Sequence, residues 1–118
     1  MLAKIEKAVL DMMLDRPGEP FEIIRQQLAH ATVAKREFSD VGFFTDFSVL
    51  ADVAVRRDLP NMELGGVEAE FPGIQNGAGF VLFIRGGVVS MLEGFTYDEP
   101  WPKKTDGFNL SRRQTNKK

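Results

Sequence analysis

A chain of 118 residues, 43% hydrophobic and 27% charged, is long enough for one domain with a sizeable core and sits among ordinary globular proteins. It has no cysteine, which excludes a disulfide framework, thiolate catalysis and cysteine-ligated zinc or iron–sulfur clusters. The net charge of −2 hides an asymmetry: residues 103–118 carry six basic groups against one acidic, a net +5, and the first 102 residues carry nine against sixteen, a net −7.

An acidic body argues against nucleic acid as a main partner, because phosphate neutralisation needs a basic face. No window approaches 18 consecutive apolar residues, so no membrane span is expected, and Glu6 and Asp11 interrupt any signal-peptide pattern. A cytoplasmic protein is the default reading. Ten Phe against one Tyr and one Trp predict rings in the core, since Phe has no polar handle.

Residues 1–15 read as an amphipathic helix, with Leu2, Ile5, Val9 and Met12 at spacings of three and four, and Leu10, Met13 and Leu14 widening the stripe. Arg16-Pro17-Gly18 ends it. Pro20 suits the first turn of a second helix striped by Phe21, Ile24, Leu28 and Ala31. The short link predicts two packed, roughly antiparallel helices.

The period then changes to two. Thr32 to Phe38 and Phe43 to Leu50 read as strands around the turn Ser39-Asp40-Val41-Gly42. Val53 and Val55 extend a strand or belong to the loop that follows. Val67 to Phe71 reads as a further strand ended by Pro72-Gly73, and Phe108 with Leu110 reads as a short edge strand. The fold class is α+β: two N-terminal helices on an antiparallel sheet of about four to six strands, with a central β-hairpin. Residues 1–102 form the single domain, and 103–118 a basic C-terminal tail that reads as a solvated, flexible terminus.

The hairpin is the strongest local signal. Gly86-Gly87 joins two apolar runs, and a two-residue turn pairs Arg85 with Val88, Ile84 with Val89, Phe83 with Ser90, Leu82 with Met91 and Phe80 with Glu93. That register puts Glu93 on one face with Phe80, Leu82, Ile84, Val89, Met91 and Phe95. Both faces are then largely apolar, which a half-solvated sheet should not show. Two helices cover one side, so the other is to be covered by loops, by the C-terminal segment or by a second copy of the chain.

The candidate site follows from the same stretch. A carboxylate at Glu93 among apolar neighbours is either a general acid or base with a raised pKa, or a structural acceptor paired with an arginine such as Arg36 or with loop amides. Tyr97, Asp98, Glu99 and Trp101 come next. Paired carboxylates beside aromatic rings suit sugar cleavage, but Asp98-Glu99-Pro100 reads more simply as a turn that holds Trp101 against the core. His30, the only histidine, falls at the end of the second helix, where capping explains it. Without other His or any Cys there is no soft-ligand metal site, and no acidic spacing matches a calcium loop. Gly77-Ala78-Gly79 precedes a strand instead of opening a helix, so the phosphate-loop reading fails. No cofactor is implied.

The segments Gly42-Phe43-Phe44-Thr45 with Phe47, Gly77-Ala78-Gly79-Phe80, Leu92-Glu93-Gly94-Phe95 and Glu99-Pro100-Trp101-Pro102 resemble a family of small bacterial proteins without an assigned activity. The resemblance spans roughly residues 33–102. It implies a bacterial origin and carries over no functional residue; relatives often have His at the position of Asp46, which argues against a catalytic role there. The expectation is a non-enzymatic interaction domain that binds itself or another protein, an immunity-type inhibitor being one version. The alternative is a small hydrolase or ligand-binding protein with a pocket at Glu93, Tyr97, Asp98, Glu99 and Trp101.

Overall fold

A computed structural model describes residues 2–49 and 59–112. Its elements run α1 (Lys4–Met13), α2 (Phe21–Ala29), β1 (Ala31–Ser39), β2 (Gly42–Val49), β3 (Met62–Glu70), β4 (Ala78–Arg85), β5 (Val88–Thr96) and β6 (Asn109–Arg112). Six strands form one antiparallel sheet in the order β1-β2-β5-β4-β3-β6, with the β4–β5 hairpin at its centre. This is the α+β architecture that the change of period from 3.6 to 2 implies. Val53 and Val55 lie outside the described residues. No helix is long and apolar enough to cross a membrane among the described residues.

Both helices pack on one face of the sheet. Ile5, Val9, Leu10, Met13 and Leu14 of α1 and Ile24 of α2 meet Phe43, Val67, Phe80, Leu82, Ile84, Val89 and Leu92 from the strands. The shortest dimension is 20 Å, the depth of one helix layer on one sheet layer, and among the described residues the far face carries no third layer.

The helices do not pack closely on each other as the short link predicts. A groove of about 910 Å³ separates them. Arg25 of α2 explains the spacing: its Nη1 donates to the carbonyl of Leu14 and, at 2.9 Å, to that of Arg16, caught where α1 runs out of internal partners. The linker is thus filled by a side chain instead of by helix–helix contact.

The hairpin register differs from the two-residue-turn expectation by one residue. Arg85 faces Val88 and Ile84 faces Val89, but then Phe83 faces Met91, Leu82 faces Leu92, Val81 faces Glu93 and Phe80 faces Gly94. Ser90 is an extra residue, a β-bulge, and every side chain beyond it changes face. Leu92 therefore enters the core at 0% exposure, and Met91, Glu93 and Phe95 go to the open face with Val81 and Phe83.

The expectation that the phenylalanines fill the core is also corrected. Of the ten, only Phe43, Phe71 and Phe80 are buried; Phe44 is 37% and Phe38 67% exposed, and the other five are intermediate.

Candidate functional site

The open face of the sheet is apolar in its middle and charged at its sides. One cross-strand row runs Lys35, Asp46, Met91, Phe83, Glu63, from β1 across to β3. The next runs Glu37, Phe44, Glu93, Val81. Phe95 follows along β5, and Tyr97 stacks edge-on against it with ring centroids 5.5 Å apart. Along the first row a cation and a carboxylate, Lys35 and Asp46, stand on β1 and β2, the apolar Met91 and Phe83 in the middle, and the carboxylate of Glu63 on β3. At its ends Lys35 and Glu63 also make exposed contacts, with Glu37 at 3.7 Å and with Arg85 at 3.3 Å.

Glu93 lies in the middle of that face. Burial pushes its carboxyl above the ordinary value, and the nearby charge of Glu63 adds to the shift. It makes no hydrogen bond or ion pair with a described residue. Arg36, a candidate partner in the sequence, points to the opposite face, because β1 carries its own register shift between Val33 and Lys35.

The other candidate residues are not gathered around Glu93. Asp98 sits in an exposed turn with φ of 60°, a conformation that Asp tolerates better than most residues. Glu99 accepts the backbone N–H groups of Gln75 (2.9 Å) and Asn76 (2.7 Å), so its carboxylate closes the loop before β4. Trp101 is on the helix side, edge-on to Phe43, Phe71 and Phe80 at 5.2, 5.6 and 6.3 Å, and its backbone N–H donates to the carbonyl of Asp40 at 2.8 Å. Glu93 and Trp101 are thus on opposite faces, and the rings of Phe43 and Phe80 lie over Gly94 between them.

Those contacts explain the glycine–aromatic segments. A Cβ on Gly94 would meet Phe43 Cε2 at 2.4 Å and Phe80 Cε1 at 3.0 Å, and one on Gly79 would meet Tyr97 Oη at 2.5 Å and Phe95 Cζ at 2.8 Å. Each glycine is a seat for rings, on one face at Gly94 and on the other at Gly79. The four segments come together at one end of the sheet as packing.

A second polar centre lies where no candidate was expected. Glu6 of α1 is 1% exposed, and its Oε1 accepts the N–H of Ala3 at 2.8 Å, tying down the first turn. Arg36 donates Nε to Oε2 (3.0 Å) and Nη2 to Oε1 (2.6 Å), a bidentate pair, and the Thr45 hydroxyl donates to Oε2. Burial alone would raise the Glu6 carboxyl; the hydrogen bonds from Arg36, Thr45 and Ala3, with the Arg36 charge, bring it below its ordinary value. The signal was in the sequence: Glu6 falls on the apolar stripe of α1, next to Ile5 and one turn before Val9 and Leu10, where a carboxylate requires a cation. The centre opens into a cleft of about 360 Å³ beside Phe38, Trp101 and Lys103.

His30 is exposed at the C-terminal cap of α2. Among the described residues no group of three or more His, Asp or Glu could hold a metal ion. No family model, no curated protein and no solved structure matches this chain.

Proposed function

We propose that this chain is a non-enzymatic, cytoplasmic interaction domain that pairs with a second copy of itself through the open face of its sheet. The observation that carries the reading is the row Lys35, Asp46, Met91, Phe83, Glu63, which no described element covers. A two-fold axis parallel to the strands and over β5 lays the β1 side of one copy on the β3 side of the other. Lys35 then meets Glu63 of the second copy at both ends of the row, Met91 meets its own copy in the middle, and Phe83 faces Asp46 of the second copy on either side. Five strands, β1 to β5, at about 4.8 Å spacing and eight or nine residues long present roughly 650 Å², within the range that each partner gives to a standard interface, about 800 ± 200 Å². Aligned sheet packing would seal Phe44, Val81, Phe83, Met91 and Phe95 from water.

Sedimentation equilibrium tests it, comparing the wild-type chain with Phe83→Asp and Lys35→Glu. The expected result is a dimer that Phe83→Asp dissociates and Lys35→Glu weakens, with circular dichroism unchanged. A monomeric wild type, or a dimer indifferent to Phe83→Asp, refutes the assignment. The hydrolase alternative keeps one supporting observation, the raised carboxyl of Glu93, but no second acid, base or nucleophile bonds to it.

A further inference from the structure

On the helix side, away from the proposed pairing face, the N-terminus of α1, the β1–β2 turn and the segment after Trp101 enclose the cleft of about 360 Å³. We infer that this cleft binds a small aromatic carboxylate. Its volume lies at the lower end of the range for ligand pockets, roughly 300–1,000 Å³.

The walls supply the apolar part. Phe38 is on the side of the sheet that α1 covers elsewhere, its ring 6.1 Å from that of Phe43, yet it is 67% exposed. An aromatic ring left open beside a concavity forgoes much of the burial that ordinarily stabilises it. Trp101 is partly exposed on the same cleft, so a planar ligand has two rings to lie against. Edge-on and offset contacts between such rings add to simple area burial.

The polar part is electrostatically selective. Glu6 and Arg36 line the cleft but neutralise each other, and Thr45 completes the carboxylate's shell. The floor is therefore polar without net charge and does not repel an anion. Lys103 at the rim is exposed and makes no ion pair among the described residues. The lining is thus net positive in a body whose first 102 residues carry −7. A carboxylate on an aromatic body matches it: the ring on Phe38 and Trp101, the charge on the Lys103 ammonium. The source is either a free aromatic acid or the terminal carboxylate of a polypeptide ending in an aromatic residue.

Trp101 is the only tryptophan, so its emission reports occupancy directly. The full chain is titrated with 3-phenylpropionate, with the neutral 3-phenylpropanol, and with a tripeptide ending in Phe as acid and as amide. The expected result is a saturable change with a Kd of about 1 mM or tighter, about two- to fivefold weaker for the alcohol and the amide. Lys103→Gln should weaken acid binding about two- to fivefold and leave alcohol binding and the unfolding midpoint unchanged. Phe38→Ser should abolish the response to both. Tighter binding of the tripeptide assigns a polypeptide terminus; tighter binding of the free acid assigns a metabolite. The inference is overturned by no saturable change up to ~10 mM, by equal affinity for acid and alcohol, or by wild-type affinity in Lys103→Gln. Because the cleft and the open face are on opposite sides, either assignment stands or falls without the other.

Discussion

Gln27 of α2 grips the backbone on both sides of Val88: its Nε2 donates to the carbonyl of Gly87 at 2.9 Å, and its Oε1 accepts the N–H of Val89 at 2.8 Å. The side chain is 0% exposed. One buried amide thereby docks the second helix on the tip of the central hairpin, with both of its functional ends used.

Gln27→Leu should therefore be far more damaging than its apolar burial implies. It leaves a buried N–H and a buried carbonyl without partners, at about 1–3 kcal/mol for each group. Chemical denaturation should show a loss of ~2–4 kcal/mol. A loss within ~0.5 kcal/mol of zero would mean that the docking is carried by apolar contact alone.

Removing Arg36 should strand the Glu6 charge. Arg36→Met is expected to cost about 3–5 kcal/mol, and Glu6→Met with Arg36→Met together much less, since an ion pair exchanged for apolar side chains of similar volume is close to neutral. Stability measured on both variants decides it. Because the folded Glu6 titrates below its ordinary value, its contribution is present above the unfolded pKa and is lost as the pH falls through the folded one. Arg36→Met should remove that loss.

Glu93 has the opposite sign. Its folded carboxyl titrates above 4.5, so in the window above that value the folded chain holds a proton that the unfolded chain has released. Through this group, stability rises as the pH falls through the window. The proposed two-fold axis brings Glu93 near its own copy, so pairing should tighten in the same direction. Glu93→Gln should flatten both profiles and strengthen the dimer at neutral pH. Sedimentation across pH, wild type against Glu93→Gln, is the check; an unchanged profile removes Glu93 from the interface.

The glycine seats should differ in severity. At Gly42 a Cβ would meet the backbone carbonyl oxygen of Gly94 at 1.9 Å, whereas at Gly94 the nearest obstacles are the rings of Phe43 and Phe80. Rings can shift at about 1–3 kcal/mol; a paired strand gives only by separating. Thermal unfolding should rank Gly42→Ala as worse than Gly94→Ala. The reverse order would show that β2 and β5 part more easily than the aromatic cluster rearranges.

Much of the layout was legible because it rests on local chemistry. Pro17-Gly18 stops a helix, Gly86-Gly87 turns a hairpin, and the apolar stripes of α1 and α2 have the period of a helix. What escaped was set by long-range or irregular pairing. The first half of β3 was hidden by Gly65-Gly66, which looks like a loop and is instead a break in register opposite β4. Arg36 was offered to Glu93 because simple alternation says nothing of which carboxylate is across the layer. Of the candidate site, the raised carboxyl of Glu93 and the turn at Asp98 that holds Trp101 against the core were readable; that Trp101 and Glu93 fall on opposite faces was not, since it depends on the bulge at Ser90 and on the route the chain takes after β5.

The extra residue at Ser90 divides β5 into two stretches of opposite parity. Before it, odd-numbered positions belong to the core; after it, even-numbered ones do, so a substitution rule learned at Val89 is inverted at Leu92. Deleting Ser90 would bring Met91 directly after Val89 and restore unbroken alternation, with Leu92 still in the core and Glu93 still on the open face. Ser90 is thus an insertion that the ladder accommodates, and a shift in numbering along β5 is not a shift in which side chains the core receives.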